Sequence, residues 1–409
     1  MNFLTVKLGN VAKFINGGAW TQSEYTNKGI PVVRVSDILN GRINLSKCKY
    51  LSSDSLEKYR KHVLYKDDLI VATVGSHKTQ QSSVVGKHAI VSINEEGALL
   101  NQNAVKIIPI DENILDKRFL RFLGSSAFFK AYIAEHARGS ANQARIAISE
   151  LKNMDIALPS IDIQRKIGRV LASLEEKISL NDQINQTLEN MAMTLYKHLF
   201  IETANVEKTK SLKDFIILNP KISVKKGTVL KYVDMKALPT NQMSVMDEDL
   251  IEKGYKSGTK FMKSDVLLAR ITPCLENGKA TFVDFLNEEE IAFGSTEFLV
   301  FRANEQSCPQ FLYCLVKDPK FHEFAKQSMV GTSGRQRIQN SVLLEYEMPD
   351  INEEKMKKFK NATEKWFSQV RQNTIENHTL KQTRDYLLPR LLSGEIEIRE
   401  TKKIIKEVL

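Results

Sequence analysis

Residues 161–200 read IDIQRKIGRVLASLEEKISLNDQINQTLENMAMTLYKHLF. Apart from Gly168, no glycine or proline interrupts this run, which predicts one long helix of roughly 60 Å at 1.5 Å per residue. Every seventh residue forms a largely apolar row of Ile167, Leu174, Asn181, Leu188 and Leu195. A second row, three residues further on, consists of Val170, Lys177, Ile184, Met191 and His198. Two such rows are typical of a coiled-coil seam, so a second helix is expected to pack along them.

The chain repeats itself at an offset of 192 residues. Subtracting 192 places Gly331 on Gly139, and Arg337 on Arg145. Further upstream the offset drifts to 197, where YKDDLIVA (65–72) matches MKSDVLLA (262–269), as loops of unequal length require. The row equivalent to the first one consists of Phe359, Trp366, Asn373, Leu380 and Leu387, and Pro389 is expected to end that second helix. The sequence therefore indicates a tandem duplication.

Each copy places about 150 residues of mixed signals before its long helix. Short apolar runs bounded by glycine, asparagine and aspartate predict strands at 30–38, 67–75, 229–235, 264–271 and 296–303, and helical segments precede the shared glycine loop at 116–136 and 308–327. The predicted fold class is α+β, with two globular domains joined by two long antiparallel coiled-coil helices in a pseudo-twofold tandem duplication. The predicted boundaries are 1–157 for the first globular domain, 158–202 for the first helix, 203–348 for the second domain, 349–392 for the second helix and 393–409 for a C-terminal tail.

Asn181 and Asn373 hold the same row position near the middle of their helices. One hypothesis is that they meet near the pseudo-twofold axis and fix the register, as a buried seam asparagine can. The alternative is that each faces solvent.

Composition narrows the function classes. At 409 residues the chain is expected to form at least two domains. No stretch of the sequence is long and apolar enough for a membrane span. The first residues lack the pattern of a secretory signal, which favours the cytoplasm. The four cysteines have no zinc or disulfide spacing. A formal net charge of +10 favours polyanionic partners, nucleic acid first.

Motifs for catalysis are missing from the sequence. It has no phosphate-binding G-x-x-x-x-G-K-[ST] loop, no [DN]-P-P-[YF] methyltransferase turn and no H-x-x-x-H pair. Catalysis by this chain is therefore not expected, although a site assembled from distant residues would escape such a search.

Polar loops in both copies carry side chains suited to DNA. The segment GSHKTQQSS (75–83) and its counterpart ARITPCLENGK (269–279) contribute the candidates His77, Lys78, Gln80, Gln81, Arg270, Thr272, Asn277 and Lys279. The shared segments ARGSANQARI (137–146) and VGTSGRQRI (330–338) contribute Ser140, Asn142, Gln143, Arg145, Thr332, Arg335, Gln336 and Arg337. These side-chain types bond base edges and phosphates. The competing interpretation is a solvated turn, or a turn that holds the next strand. In a further loop, Trp20 and Tyr25 are candidates to lie against nucleic acid or a partner.

Three stretches carry a resemblance to a known family: LGNVAKFINGGAWTQSEYTNKGIPVVRVSDI (8–38), ALPSIDIQRKIGRVLASLEEKISLNDQINQTLE (157–189) and HTLKQTRDYLLPRLLSGEI (378–396). The chain resembles the DNA-specificity subunit of Type I restriction-modification systems over nearly its whole length. The second copy departs from the L-P-x-x-x-x-Q-R-K-I helix entry, reading MPDINEEKMKKF (348–359).

The resemblance implies a function and a set of partners. Each globular domain would be a target-recognition domain that reads one half of a split double-stranded DNA site. The helices would set the gap and dock the adenine methyltransferase subunits, two of them, with restriction/translocase subunits joining the complex. The subunit would be non-catalytic and hold no cofactor, because S-adenosylmethionine, ATP and magnesium belong to the partner subunits. The alternative from another class is a non-catalytic two-armed protein scaffold without sequence-specific DNA binding, which organises proteins through its helices.

Overall fold

The computed structural model describes residues 3–39, 41–76, 85–140, 143–203, 208–332 and 334–408. The chain forms two compact units, Met1–Glu176 with Lys381–Leu409, and Lys177–Leu380. Each unit contains one globular domain and part of both long helices, so the unit boundaries fall inside the helices. Within the described ranges, no helix combines the length and the apolar character that a membrane crossing needs.

The first long helix spans Ile161–Lys197 and continues as a π-helical turn over His198–Glu202. Its predicted first row is buried at Ile167, Leu174 and Asn181 and half-buried at Leu188 and Leu195. The predicted second row is wrong, because Ile184 and Met191 are 36% and 43% exposed. The row on the buried side starts four residues after Ile167, not three, and consists of Leu171, Ile178, Asn185, Ala192 and Leu199. Polar Asn185 and small Ala192 concealed this row from a search for large apolar residues.

The second long helix spans Glu353–Ser393. Its predicted row is buried at Phe359, Asn373, Leu380 and Leu387 and half-buried at Trp366. The prediction that Pro389 ends this helix is wrong, because the proline lies inside it. The helix ends before Gly394, whose φ of +76° is the left-handed conformation that glycine adopts readily at a helix end. A final helix, Ile398–Val408, follows within the predicted tail.

In the second unit the two long helices run antiparallel, joined by four asparagines, the asparagine quartet of Asn181, Asn185, Asn373 and Asn377. Asn181 Nδ2 donates to Asn377 Oδ1 at 3.0 Å, and Asn373 Nδ2 donates to Asn185 Oδ1 at 2.8 Å. Exchanging the two copies, which subtracts 192 from Asn373 and adds 192 to Asn185, converts the second bond into the first. Asn181 and Asn373 are therefore buried, as hypothesised, but each pairs with a different asparagine and not with the other.

Replacing one asparagine of the quartet should destabilise the second unit more than replacing all four. Asn377→Leu leaves Asn181 and Asp182, which accepts from Asn377 Nδ2 at 2.8 Å, without that partner. We expect the free energy of unfolding of the second unit to fall by about 1–3 kcal/mol, because buried polar groups lose their bonds. Replacing all four asparagines with leucine should restore stability but yield several oligomers, since the register-setting bonds are gone. Denaturant unfolding measures the stability of the two variants, and light scattering after size-exclusion chromatography measures their oligomeric state. A uniform monomer from the fourfold variant would reject the role of the quartet in setting the register.

The first globular domain contains two four-stranded sheets. One is antiparallel, with the strand order His88–Ile90, Leu69–Ala72, Ala104–Pro109, Ala12–Asn16. The other has the order Leu99–Leu100, Ile30–Val33, Lys49–Leu51, Tyr25–Thr26, and its first pair is parallel. Two smaller ladders have two strands each: Leu4–Lys7 pairs with Asp155–Leu158, and Ile38–Leu39 pairs with Arg42–Ile43. A third has three strands, in the order Arg138–Ser140, Gln143–Arg145, Val74–Gly75.

The second globular domain repeats the antiparallel sheet of the first, whereas its other sheet has different edge strands. Its antiparallel sheet has the order Ala280–Phe282, Val266–Ala269, Phe298–Ala303, Ile216–Leu218. Its other sheet has the order Leu250–Gly254, Val229–Val233, Ile291–Gly294, Thr259–Met262, with a parallel central pair. Smaller ladders join Thr209–Ser211 to Glu347–Pro349 and Met329–Val330 to Arg337–Ile338. The predicted tandem duplication and α+β class are confirmed.

The helices of the two domains also correspond. The predicted helical segments are each two helices, Lys117–Ser125 with Ala127–His136, and Pro309–Lys317 with Pro319–Gln327. Ser126 and Asp318, which are 192 residues apart, separate them by accepting backbone N–H bonds from the following turn. The remaining helices are short: Leu8–Val11, Ser55–Lys58, Ile148–Asn153 and Asn340–Leu344, with 3₁₀ turns at Gln22–Glu24, Val35–Asp37, Arg60–His62, Leu212–Asp214 and Asp247–Asp249.

An aromatic cluster attaches the first long helix to the second domain. Phe311 is fully buried, and its ring centroid lies 4.9 Å from that of Phe200, 5.5 Å from that of Tyr196 and 6.3 Å from that of Phe215. Tyr196 and Phe200 belong to the helix and its π turn, so burial of these rings fixes the helix on the domain.

Candidate nucleic-acid interface

The two shared glycine segments are β-hairpins. Arg138–Ser140 pairs with Gln143–Arg145 in the first domain, and Met329–Val330 pairs with Arg337–Ile338 in the second. Gly139 and Gly331 have φ values of 130° and 133°, a backbone conformation that side chains oppose. A Cβ on Gly331 would also approach the Arg335 carbonyl oxygen to 2.9 Å. The glycines are therefore explained by the hairpin backbone, and the turn interpretation holds for them.

Each hairpin lies beside the other candidate loop of its domain. Arg145 pairs with Val74 and Ala144 with Gly75, where the 75–83 segment begins. In the second domain Arg337 forms the equivalent bridge to Ile271, inside the 269–279 segment. In each copy the described part of the loop segment therefore adjoins the hairpin, which the sequence alone did not predict.

Several candidates lie outside the described residues: His77, Lys78, Gln80, Gln81 and Asn142. Ser140 and Gln143 are described in backbone only. Arg145, by contrast, is described, and its side chain is exposed.

In the second domain, Thr332 and Arg335 are exposed around the hairpin turn, and Asn277 is exposed on the neighbouring loop. Gln336 is half-buried; its backbone N–H donates to Thr272 Oγ1 at 3.1 Å, and its carbonyl accepts from the Thr272 N–H at 3.1 Å. These two bonds tie the loop to the hairpin.

Two predicted cations stabilise the loop they belong to. Arg270 Nη2 donates to the Ile338 carbonyl at 2.7 Å, and Lys279 Nζ donates to the Met235 carbonyl at 2.7 Å. Both side chains are half-buried. Arg270 and Lys279 therefore have structural bonds that the sequence did not reveal, and their contact with DNA stays a prediction.

Arg337 is held by an acid that the sequence search did not select. Its Nε lies 2.9 and 3.0 Å from the two Glu297 oxygens, and its Nη2 lies 2.8 Å from Glu297 Oε1. Hydrogen bonding to this carboxylate raises the pKa of Arg337. The strands Ala104–Pro109 and Phe298–Ala303 are offset by 194 residues, so Glu297 corresponds to Asn103. The first domain therefore lacks this ion pair at the matching position. Aligning the two copies at this local offset would have identified the acid.

Trp20 and Tyr25, the candidates from the N-terminal loop, contact each other. Trp20 Nε1 donates to Tyr25 Oη at 2.9 Å, and the Trp20 ring packs edge-on against Tyr59 with centroids 5.2 Å apart. Both are half-buried. Their contacts are accounted for by local packing.

Comparison with known proteins finds a matching family model and relatives. A family model described as Type I restriction modification DNA specificity domain matches residues 2–190. The HindI specificity subunit of Haemophilus influenzae is 24% identical, over 95% of this chain and 97% of that protein. The chain is therefore similar to Type I restriction-modification specificity subunits over nearly its whole length. Like those subunits, the chain is non-catalytic.

Further similar proteins span most of the length of this chain. The MjaIX specificity subunit of Methanocaldococcus jannaschii is 23% identical over 76% of each chain. The crystal structure of a Type I restriction-modification S subunit from M. genitalium superimposes with a TM-score of 0.61 at 15% identity, covering 96% of each chain. At that identity the superposition supports the fold, with both copies included.

Proposed function

We propose that this chain acts as a specificity subunit and reads a split double-stranded DNA site, one half with each globular domain. The observation that carries the proposal is that the same antiparallel sheet occurs twice with different side chains at the same hairpin. Arg145 has no acid at position 103, whereas Arg337 is paired with Glu297. Two scaffolds of one fold that present different polar groups suit two different half-sites.

In this proposal the long helices set the gap between the half-sites and dock two adenine methyltransferase subunits, with restriction/translocase subunits joining them. The antiparallel packing of the helices in the second unit and the asparagine quartet support a fixed register. S-adenosylmethionine, ATP and magnesium would be held by the partner subunits. The net charge of +10 favours DNA binding through phosphate contacts.

Domain exchange tests the proposal. Cells would express this chain with the adenine methyltransferase encoded nearest to it, and methylated adenine would be mapped by single-molecule sequencing of host DNA. We expect a split motif that requires both proteins. Replacing residues 1–157 with the corresponding domain of another specificity subunit should change one half of the motif completely and leave the other half and the gap unchanged.

The chain alone and the methyltransferase alone are the controls. Methylation without a split motif, or a motif that ignores the domain exchange, would favour the scaffold with no sequence-specific DNA binding.

A further inference from the structure

Arg337 and Glu297 form a two-point ion pair at the hairpin of the second domain. The arginine side chain remains 45% exposed and the glutamate side chain 23% exposed. An ion pair this exposed contributes little to stability. Its effect is instead to fix the direction of the guanidinium group.

Both members of the pair stand on a fixed backbone. Arg337 pairs with Val330 in the hairpin and bridges to Ile271. The Glu297 carbonyl accepts from the Arg270 N–H at 2.9 Å, and the Glu297 N–H donates to Ser295 Oγ at 3.2 Å. The orientation of the arginine is therefore set before any ligand arrives.

A guanidinium group has five N–H donors, and the pair with Glu297 uses the edge formed by Nε and Nη2. The outer edge, with both Nη1 donors and one Nη2 donor, is left with the parallel geometry that matches O6 and N7 of guanine. We propose that Arg337, oriented by Glu297, reads a guanine in the half-site of the second domain, with Glu297 acting as its positioning residue.

The first domain supplies an internal comparison. The Asn103 carbonyl accepts from the Thr73 N–H at 3.0 Å, the bond that Glu297 and Arg270 make in the second domain, so positions 103 and 297 are equivalent. Asn103 brings no charge to fix Arg145. Among the described residues no acid forms an ion pair with Arg145, and an exposed arginine without such a partner suits a phosphate, where a point charge is enough.

The inference rests on the proposed function, and its test separates the two. The full chain would be purified with its adenine methyltransferase and assayed for methylation of duplexes carrying each of the four bases at each site position. The variants are Glu297→Gln and Arg337→Lys. Glu323→Gln is the control, because it removes an exposed acid paired with Lys326 on the helix Pro319–Gln327 of the same domain.

We expect both variants to lower the preference for guanine at one position of the second half-site by about tenfold to a hundredfold, as loss of a two-point contact predicts. The first half-site and the Glu323→Gln control should keep the wild-type preferences. With Glu297→Gln the salt dependence of binding should stay the same, since Arg337 contacts a base in this scheme.

Three results would overturn the inference. A second half-site without guanine removes the proposed base. Tighter binding of Glu297→Gln to all DNA, with a salt slope steeper by about one, would mean that Glu297 masks a phosphate contact. A wild-type complex that methylates without sequence preference would reject the proposed function and, with it, the inference.

Discussion

Replacing Phe311 with alanine is expected to destabilise the second unit by about 3–5 kcal/mol, the usual cost of deleting a fully buried ring. The ring contacts Tyr196 and Phe200 of the first long helix and Phe215 of the domain, so the cavity opens where helix and domain meet. The chain has two tryptophans, Trp20 in the first unit and Trp366 in the second. In a Trp20→Phe background, the fluorescence of Trp366 therefore follows denaturant unfolding of the second unit alone.

Ile251 is the control within the same unit, because it is 51% exposed. Its replacement with alanine should change stability by less than about 0.5 kcal/mol. Hydrogen exchange in Phe311→Ala should also rise at the end of the first long helix. An effect of Phe311→Ala no larger than that of Ile251→Ala would show that the aromatic cluster does not anchor the helix.

Lowering the pH from 6.5 to 4 is expected to remove up to about 3 kcal/mol of stability from the first unit through His88 alone. His88 is 9% exposed on the strand His88–Ile90, and burial, with a smaller effect from the Lys130 charge, lowers its pKa to about 4. In the unfolded chain a histidine takes up its proton near pH 6.5. Between these values the unfolded state binds the extra proton, so stability falls as the pH falls.

Comparison with His88→Gln isolates this contribution, since carboxylates that titrate in the same range affect both proteins equally. The difference between wild type and variant in free energy of unfolding should change across pH 6.5 to 4 and be constant above about pH 7. Trp20 reports on the first unit in a Trp366→Phe background. A difference that does not depend on pH would mean that His88 has the same pKa in the folded and in the unfolded chain.

Periodicity and self-comparison predicted the larger features of the fold. The seven-residue rows placed both long helices, and the 192-residue offset predicted a duplication that the matching strand order of the two antiparallel sheets confirms. Periodicity failed where the physical determinant is not hydrophobicity. The second buried row was missed because Asn185 and Ala192 belong to it, and Pro389 did not end its helix although it lacks the N–H of a regular turn.

The candidate interface was less predictable than the fold. Offsets selected Arg145 and Arg337 correctly as equivalent positions, but not the acid that holds Arg337. The bonds of Arg270 to Ile338 and of Lys279 to Met235 join residues distant in sequence through backbone carbonyls, which every residue possesses and no pattern marks. Contact partners of this kind follow from the packed backbone and not from residue type.

The asparagine quartet also has an evolutionary consequence. Asn181 and Asn185 of the first copy correspond to Asn373 and Asn377 of the second copy. Each hydrogen-bonded pair therefore joins the first of these positions in one copy to the second in the other copy. Contacts of residue i with j and of j with i are the hallmark of an isologous interface, the kind formed by two identical subunits. The bonds inside this chain are those that a homodimer of half-length ancestors would have made. Gene fusion would then have preserved an existing subunit interface, and it freed the two recognition surfaces to diverge independently.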